Sequence, residues 1–156
     1  MTLITRSITL LAGLFIFSLQ LMASQVITLK ERLAQYETTT GAARTDAANN
    51  LMALFLQEEF LEEPLNFQPT TPVDSINLQV WYWCSEYLYA HQEYQLALEL
   101  GQKALPLCAD KEMEANCLSL LSLITFRLSH YQLAADYAKR CYKLDEETGD
   151  SDLMSS

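Results

Sequence analysis

The sequence predicts an all-α domain built from stacked helix pairs, and three observations predict it. Tyr94-Gln95-Leu96-Ala97 returns unchanged as Tyr131-Gln132-Leu133-Ala134, a shift of 37 residues. The register reaches further: Ser85 falls on Ser122, Tyr89 on Phe126, Glu99 on Asp136, Lys103 on Arg140, Ala104 on Cys141 and Leu107 on Leu144. A fixed period of this size marks units that bury an apolar face only against their neighbours. Apolar residues recur at i, i+3, i+4 and i+7, and no stretch alternates with period two. Pro64, Pro69 and Pro72 cluster between the leading segment and the repeat, where no continuous helix can run.

Residues 1–24 read as an export signal or an uncleaved anchor. Arg6 is the lone charge, residues 8–19 are apolar, and Ala23 and Ser24 offer small residues for cleavage. The apolar run is short of the about 20 residues a membrane span needs. The chain is therefore expected to be exported to the periplasm or cell envelope, and to touch a membrane only if this segment is retained. Residues 25–63 read as a degenerate leading helix pair. Leu29 and Leu33 share a face over 28–36, Thr38-Thr39-Thr40-Gly41 is a break, and Ala47, Leu51, Leu54 and Phe55 share a face over 42–62. Residues 64–73 form the proline-rich loop.

Residues 74–110 make the first full unit. Asp74 or Ser75 can cap its first helix, on which Trp81, Cys84, Ser85 and Leu88 form one face. A turn at His91-Gln92 leads into a helix over 93–105 with Tyr94, Ala97, Leu100 and Ala104 inward, and Pro106 should end or kink it. Residues 111–148 repeat the plan. Leu118, Leu121, Ser122 and Thr125 take the matching face over 111–128, and a last helix runs over 131–147 until Gly149 stops it. Residues 149–156 then read as the start of a further helix cut short. The last pair should accordingly expose a face around Leu123, Tyr137 and Tyr142, which favours self-association or a partner.

Composition narrows the function classes. The formal charge is −10 with a pI near 4.5, which a duplex or an anionic lipid surface repels, so no nucleic-acid partner is expected. The scattered Gly13, Gly41, Gly101 and Gly149 build no phosphate-cradling loop. His91 and His130 fall near the same turn of successive units and read as turn residues, not a metal pair. Cys84, Cys108, Cys117 and Cys141 match no zinc spacing and read as small core residues, with Cys108–Cys117 the best candidate for a bridge. Paired acids such as Glu58-Glu59 and Glu62-Glu63 read as solvated charge. No cofactor, metal or catalytic residue is expected, and no enzyme.

The two-helix unit resembles the tetratricopeptide repeat. Trp81, Cys84, Ser85, Leu88, Ala97 and Ala104 stand at that repeat's signature positions, and Leu118, Leu121, Ser122, Ala134 and Cys141 do so in the second unit. The period of 37 exceeds the family's usual length, and the extra residues fall around 109–112. The resemblance implies a short right-handed solenoid of antiparallel helix pairs, with an inner groove that takes a protein or peptide. In this sequence Gln79, Tyr82, Glu86 and Tyr89 stand at the groove places of the first unit, and Asn116, Ser119, Leu123 and Phe126 at those of the second. The family's version that grips a terminal carboxylate uses lysine and asparagine where Tyr82, Trp83 and Glu86 stand, so that activity is not implied. The whole layout is similar to the periplasmic repeat domains of bacterial sensor kinases and regulators. The expected function is a non-catalytic protein- or peptide-binding module, with a purely structural spacer of a larger envelope protein as the alternative.

Overall fold

A computed structural model describes residue 20 and residues 24–154, with side chains described through residue 147. The export-signal expectation for residues 1–24 falls almost wholly outside the described residues. Among the described residues there are six α-helices, one short 3-10 turn and no strand. The helices are α1 over 24–38, α2 Ala42–Gln57, α3 Val73–Ala90, α4 Tyr94–Ala104, α5 Lys111–Arg127 and α6 Tyr131–Met154. The 3-10 turn is Leu105–Leu107. No helix among the described residues is long and apolar enough to cross a membrane.

The 37-residue shift in sequence is a 37-residue shift in contacts. Ser85 Oγ donates to the Ala97 carbonyl at 2.7 Å, and Ser122 Oγ donates to that of Ala134 at 3.0 Å. The Tyr89 and Tyr94 rings meet at 5.8 Å, and those of Phe126 and Tyr131 at 5.6 Å. Gln92 and Ser129 hold φ of 64° and 62° just beyond α3 and α5. Each sits in a Schellman turn, with Glu93 N–H donating to the Leu88 carbonyl at 2.9 Å and His130 N–H to that of Thr125 at 2.9 Å. These partners are nested about each turn, so α3 and α4 run antiparallel, as do α5 and α6. The serines and alanines are small because the two backbones approach closely there; Ala97 is fully buried and Ala134 nearly so.

The leading helices pack in an order of their own. Lys30 and Glu37 of α1 pair with Glu93 and Lys103 at the two ends of α4, at 3.0 and 2.7 Å, so α1 and α4 run the same way. Arg44 Nη2 donates to Asn77 at 2.8 Å, and Phe55 stacks near Tyr87 at 5.0 Å, so α2 runs along α3 in the same direction. The chain leaves α2 beside the end of α3 and must return to its start, a distance of about 27 Å for 18 residues of helix. The proline segment makes that crossing. Asn49 clamps it midway, its side chain bonding both the N–H and the carbonyl of Phe67 at 2.7 and 3.0 Å. One apolar core runs from Val26 and Tyr36 through Phe55, Tyr87 and Leu100 to Leu121 and Tyr137. A second small cluster joins Leu78, Ala104 and Cys117 where α3, α4 and α5 meet.

Several boundaries differ from expectation. The second helix stops at Gln57, because Glu59 turns left-handed (φ 57°) and folds Phe60 and Leu61 back onto the core. Neither Asp74 nor Ser75 caps α3. Pro72 occupies the cap position, and Asp74 lies in the first turn, where its charge complements the helix dipole. Asp110, in contrast, caps α5, accepting from Met113 N–H at 2.7 Å. Gly149 does not stop the last helix, which continues to Met154, so residues 149–154 extend α6 rather than begin another helix. A single glycine costs a helix only about 1 kcal/mol. Tyr137 is not on an exposed face; it is buried in the core, with Gln102 at hydrogen-bond distance of its hydroxyl. Its place under the 37-residue shift is that of buried Leu100.

Candidate functional site

The eight groove positions divide into two groups. The four on α3 are half-buried. Gln79 accepts from Trp83 Nε1 at 3.1 Å. Tyr82 packs edge-on against Trp83 at 5.3 Å and lies against the cluster that contains Cys117 of α5. Burial pushes its hydroxyl up, and the neighbouring Glu86 carboxylate pushes the same way. Burial likewise raises Glu86, although a hydrogen bond from Tyr82 opposes the shift. Its second oxygen, Oε2, is shielded and has no partner. Tyr89 hydrogen-bonds Arg127 at the far end of α5, which holds that guanidinium's pKa up. Helix α5 therefore lies against the α3 stripe at Tyr82 and at Tyr89.

The aromatic crowd on α3 is absorbed in the same way, since this helix has neighbours on several sides. Tyr87 and Trp83 meet Phe60 of the returning segment, at 5.2 and 6.4 Å. Tyr87 also stacks on His91 at 4.1 Å and donates a short hydrogen bond to Glu58. Trp81 is half-buried between the two clusters with Lys103 Nζ 5.7 Å from its ring.

The four positions on α5 are exposed. Leu123 is 49% and Phe126 59% accessible, and Tyr131 and Tyr142 beside them on α6 are 60% and 65%. Ser119 and Leu123 line a cleft of about 240 Å³ with Ser122 of α5 and Ala138, Cys141, Tyr142 and Asp145 of α6. Asn116 opens onto a different cleft, with Lys111, Glu112 and Leu144.

The 37-residue shift explains the cleft. Its lining maps back onto Tyr82, Ser85, Glu86, Gly101, Ala104, Leu105 and Cys108. In the first hairpin α5 occupies that place. A Cβ on Gly101 would stand 2.8 Å from Leu121 Cδ2, and Ala104, Tyr82 and Cys108 pack around Cys117. In the second hairpin the equivalent of Gly101 is Ala138, exposed at the wall of the cleft. Sequence reading named Ser119, Leu123 and Tyr142 but missed the wall formed by Ala138, Cys141 and Asp145. The signal for those was present, because shifting the Gly101 neighbourhood by one period points to them.

Among the described residues no group of three or more His, Cys, Asp or Glu side chains is placed to hold a metal ion. Comparison of the chain with protein-family models, curated proteins and solved structures gave no match.

Proposed function

We propose that the chain is a tetratricopeptide-like solenoid module of the cell envelope that binds a protein or peptide and performs no catalysis. The observation that carries the reading is the open cleft between α5 and α6, flanked by exposed Leu123, Phe126 and Tyr142. The same place one hairpin earlier receives the amphipathic helix α5, with a leucine against a small residue. The cleft therefore suits an apolar helix from a partner, and tyrosine at its rim adds a hydrogen-bonding edge to a large contact area. Recurrence of the Ser85–Ala97 bond at Ser122–Ala134 supports the repeat assignment.

A site-specific photo-crosslinker tests the reading in the full chain, in cells of the source. Placed at Leu123 or Tyr142 it should trap a discrete protein or peptide, and placed at Glu99 or Lys139 it should not. Leu123→Glu with Tyr142→Glu should abolish the product while leaving helicity unchanged. Equal labelling at all four positions, or a product indifferent to the two charges, refutes the docking face and favours a spacer.

A further inference from the structure

We propose that Cys108 and Cys117 form a disulfide that staples the turn between the two hairpins. Their sulfurs lie 3.4 Å apart, the only such approach among the four thiols of the described structure. Cys84 is fully buried, and the sulfur of Cys141 lies 3.5 Å from the Ala115 carbonyl. Cys108 follows the 3-10 turn that contains Pro106, and its sulfur lies 3.8 Å from the Ala104 carbonyl. Cys117 stands on α5, whose start Asp110 fixes by its cap. Bonding requires the sulfurs to close from 3.4 Å to about 2 Å, and Cys108 is half-exposed.

Packing alone does not ask for this pair. One period earlier the two positions hold Thr71 and Val80, and one period later Asp145 and Met154. Val80 shows that the Cys117 position accepts an ordinary apolar side chain, fully buried. The pair thus belongs to this junction rather than to the repeat. Burial raises both thiols, so neither stands as a thiolate at neutral pH, which suits a durable staple better than a thiol-exchange catalyst.

The oxidant is a disulfide, R–S–S–R. Cys108, the more accessible sulfur, attacks it through the minor fraction that has given up its proton. The Cys108–S–S–R bond forms, and one RS⁻ leaves and takes up the proton. Cys117 then attacks Cys108 Sγ, expelling the second RS⁻ with its proton. Two protein thiols are oxidised, and one donor disulfide is reduced to two thiols.

The test incubates the folded full-length chain in glutathione buffers of rising oxidised fraction, blocks free thiols by alkylation, and maps the peptides. The expected product joins the Cys108 and Cys117 peptides, is lighter by two hydrogens, and leaves Cys84 and Cys141 alkylated. Its thermal midpoint lies above that of the reduced chain. Cys117→Ser should arrest at a glutathione adduct on Cys108. The proposal is overturned if all four thiols stay alkylatable in fully oxidised glutathione, or if the bridge joins any other pair. The map of the unsubstituted chain decides this whether or not the variant folds.

Discussion

Gly101→Val is the substitution that bears most sharply on how the hairpins meet. A Cβ at Gly101 would stand 2.8 Å from Leu121 Cδ2 and 3.1 Å from Ser85 Oγ. Neither neighbour is free to withdraw. Leu121 is fully buried, and Ser85 is tied to the Ala97 carbonyl at 2.7 Å. Overpacking a filled junction costs about 1–3 kcal/mol. The better helix propensity of valine over glycine returns only about 0.4 kcal/mol. The net loss is about 0.6–2.6 kcal/mol, or a fall of about 1–10 °C in midpoint at roughly 2–4 °C per kcal/mol for a chain of this length. The control is Ala138→Val one period later, where the wall is open and only the lower helix propensity of valine, about 0.6 kcal/mol, should register. Thermal melts followed by circular dichroism measure both. If Gly101→Val melts with the parent chain, or Ala138→Val falls as far, the asymmetry between filled and open places is wrong.

Other substitutions follow from the same geometry. Ala97→Leu, at a fully buried contact between α3 and α4, should cost about 1–3 kcal/mol in a denaturant titration, and an unchanged melt contradicts the repeat register. Gln92→Gly and Ser129→Gly relieve left-handed backbone at φ of 64° and 62°, so each should stabilise by about 0.5–1 kcal/mol. Burial raises the Glu86 carboxyl, so its contribution favours the fold below the unfolded value of about 4.3 and is lost as pH rises through the raised one. Glu86→Gln should therefore raise the midpoint at neutral pH, with the gain fading toward pH 4 and below. A gain equally large in acid would show that the carboxylate's burial is not its source.

The hairpins were legible because their instructions are local and occur twice. Ser85 with Ala97, and Ser122 with Ala134, sit 12 residues apart on either side of a turn, so spacing alone brings them together. The order of α1 and α2 was not legible. It rests on long-range packing of Leu29, Leu33, Tyr36 and Phe55 in the shared core, with Lys30 and Glu37 meeting Glu93 and Lys103 across more than 60 residues, which no periodicity encodes. Glu59, Gln92 and Ser129 lacked the usual glycine, so their left-handed turns left no mark in composition. Tyr137 was misplaced although the shift to Leu100 held the answer. Of the eight positions read from the repeat, Tyr82, Glu86 and Tyr89 lie where α5 leans on α3, which the period does not encode, while Asn116, Ser119, Leu123 and Phe126 remain exposed.

The central claim is that the cleft of α5 and α6 is a stacking place of the same kind that α5 fills one hairpin earlier. It is tested most directly by replacing residues 148–156 with a second copy of residues 111–147, which keeps the 37-residue register. If the claim holds, the added hairpin docks as its template does. The chain then melts in one transition at higher temperature, and hydrogen exchange slows at the backbone amides of Leu123 and Tyr142. A separate early transition for the added hairpin, with exchange at those amides unchanged, would contradict it.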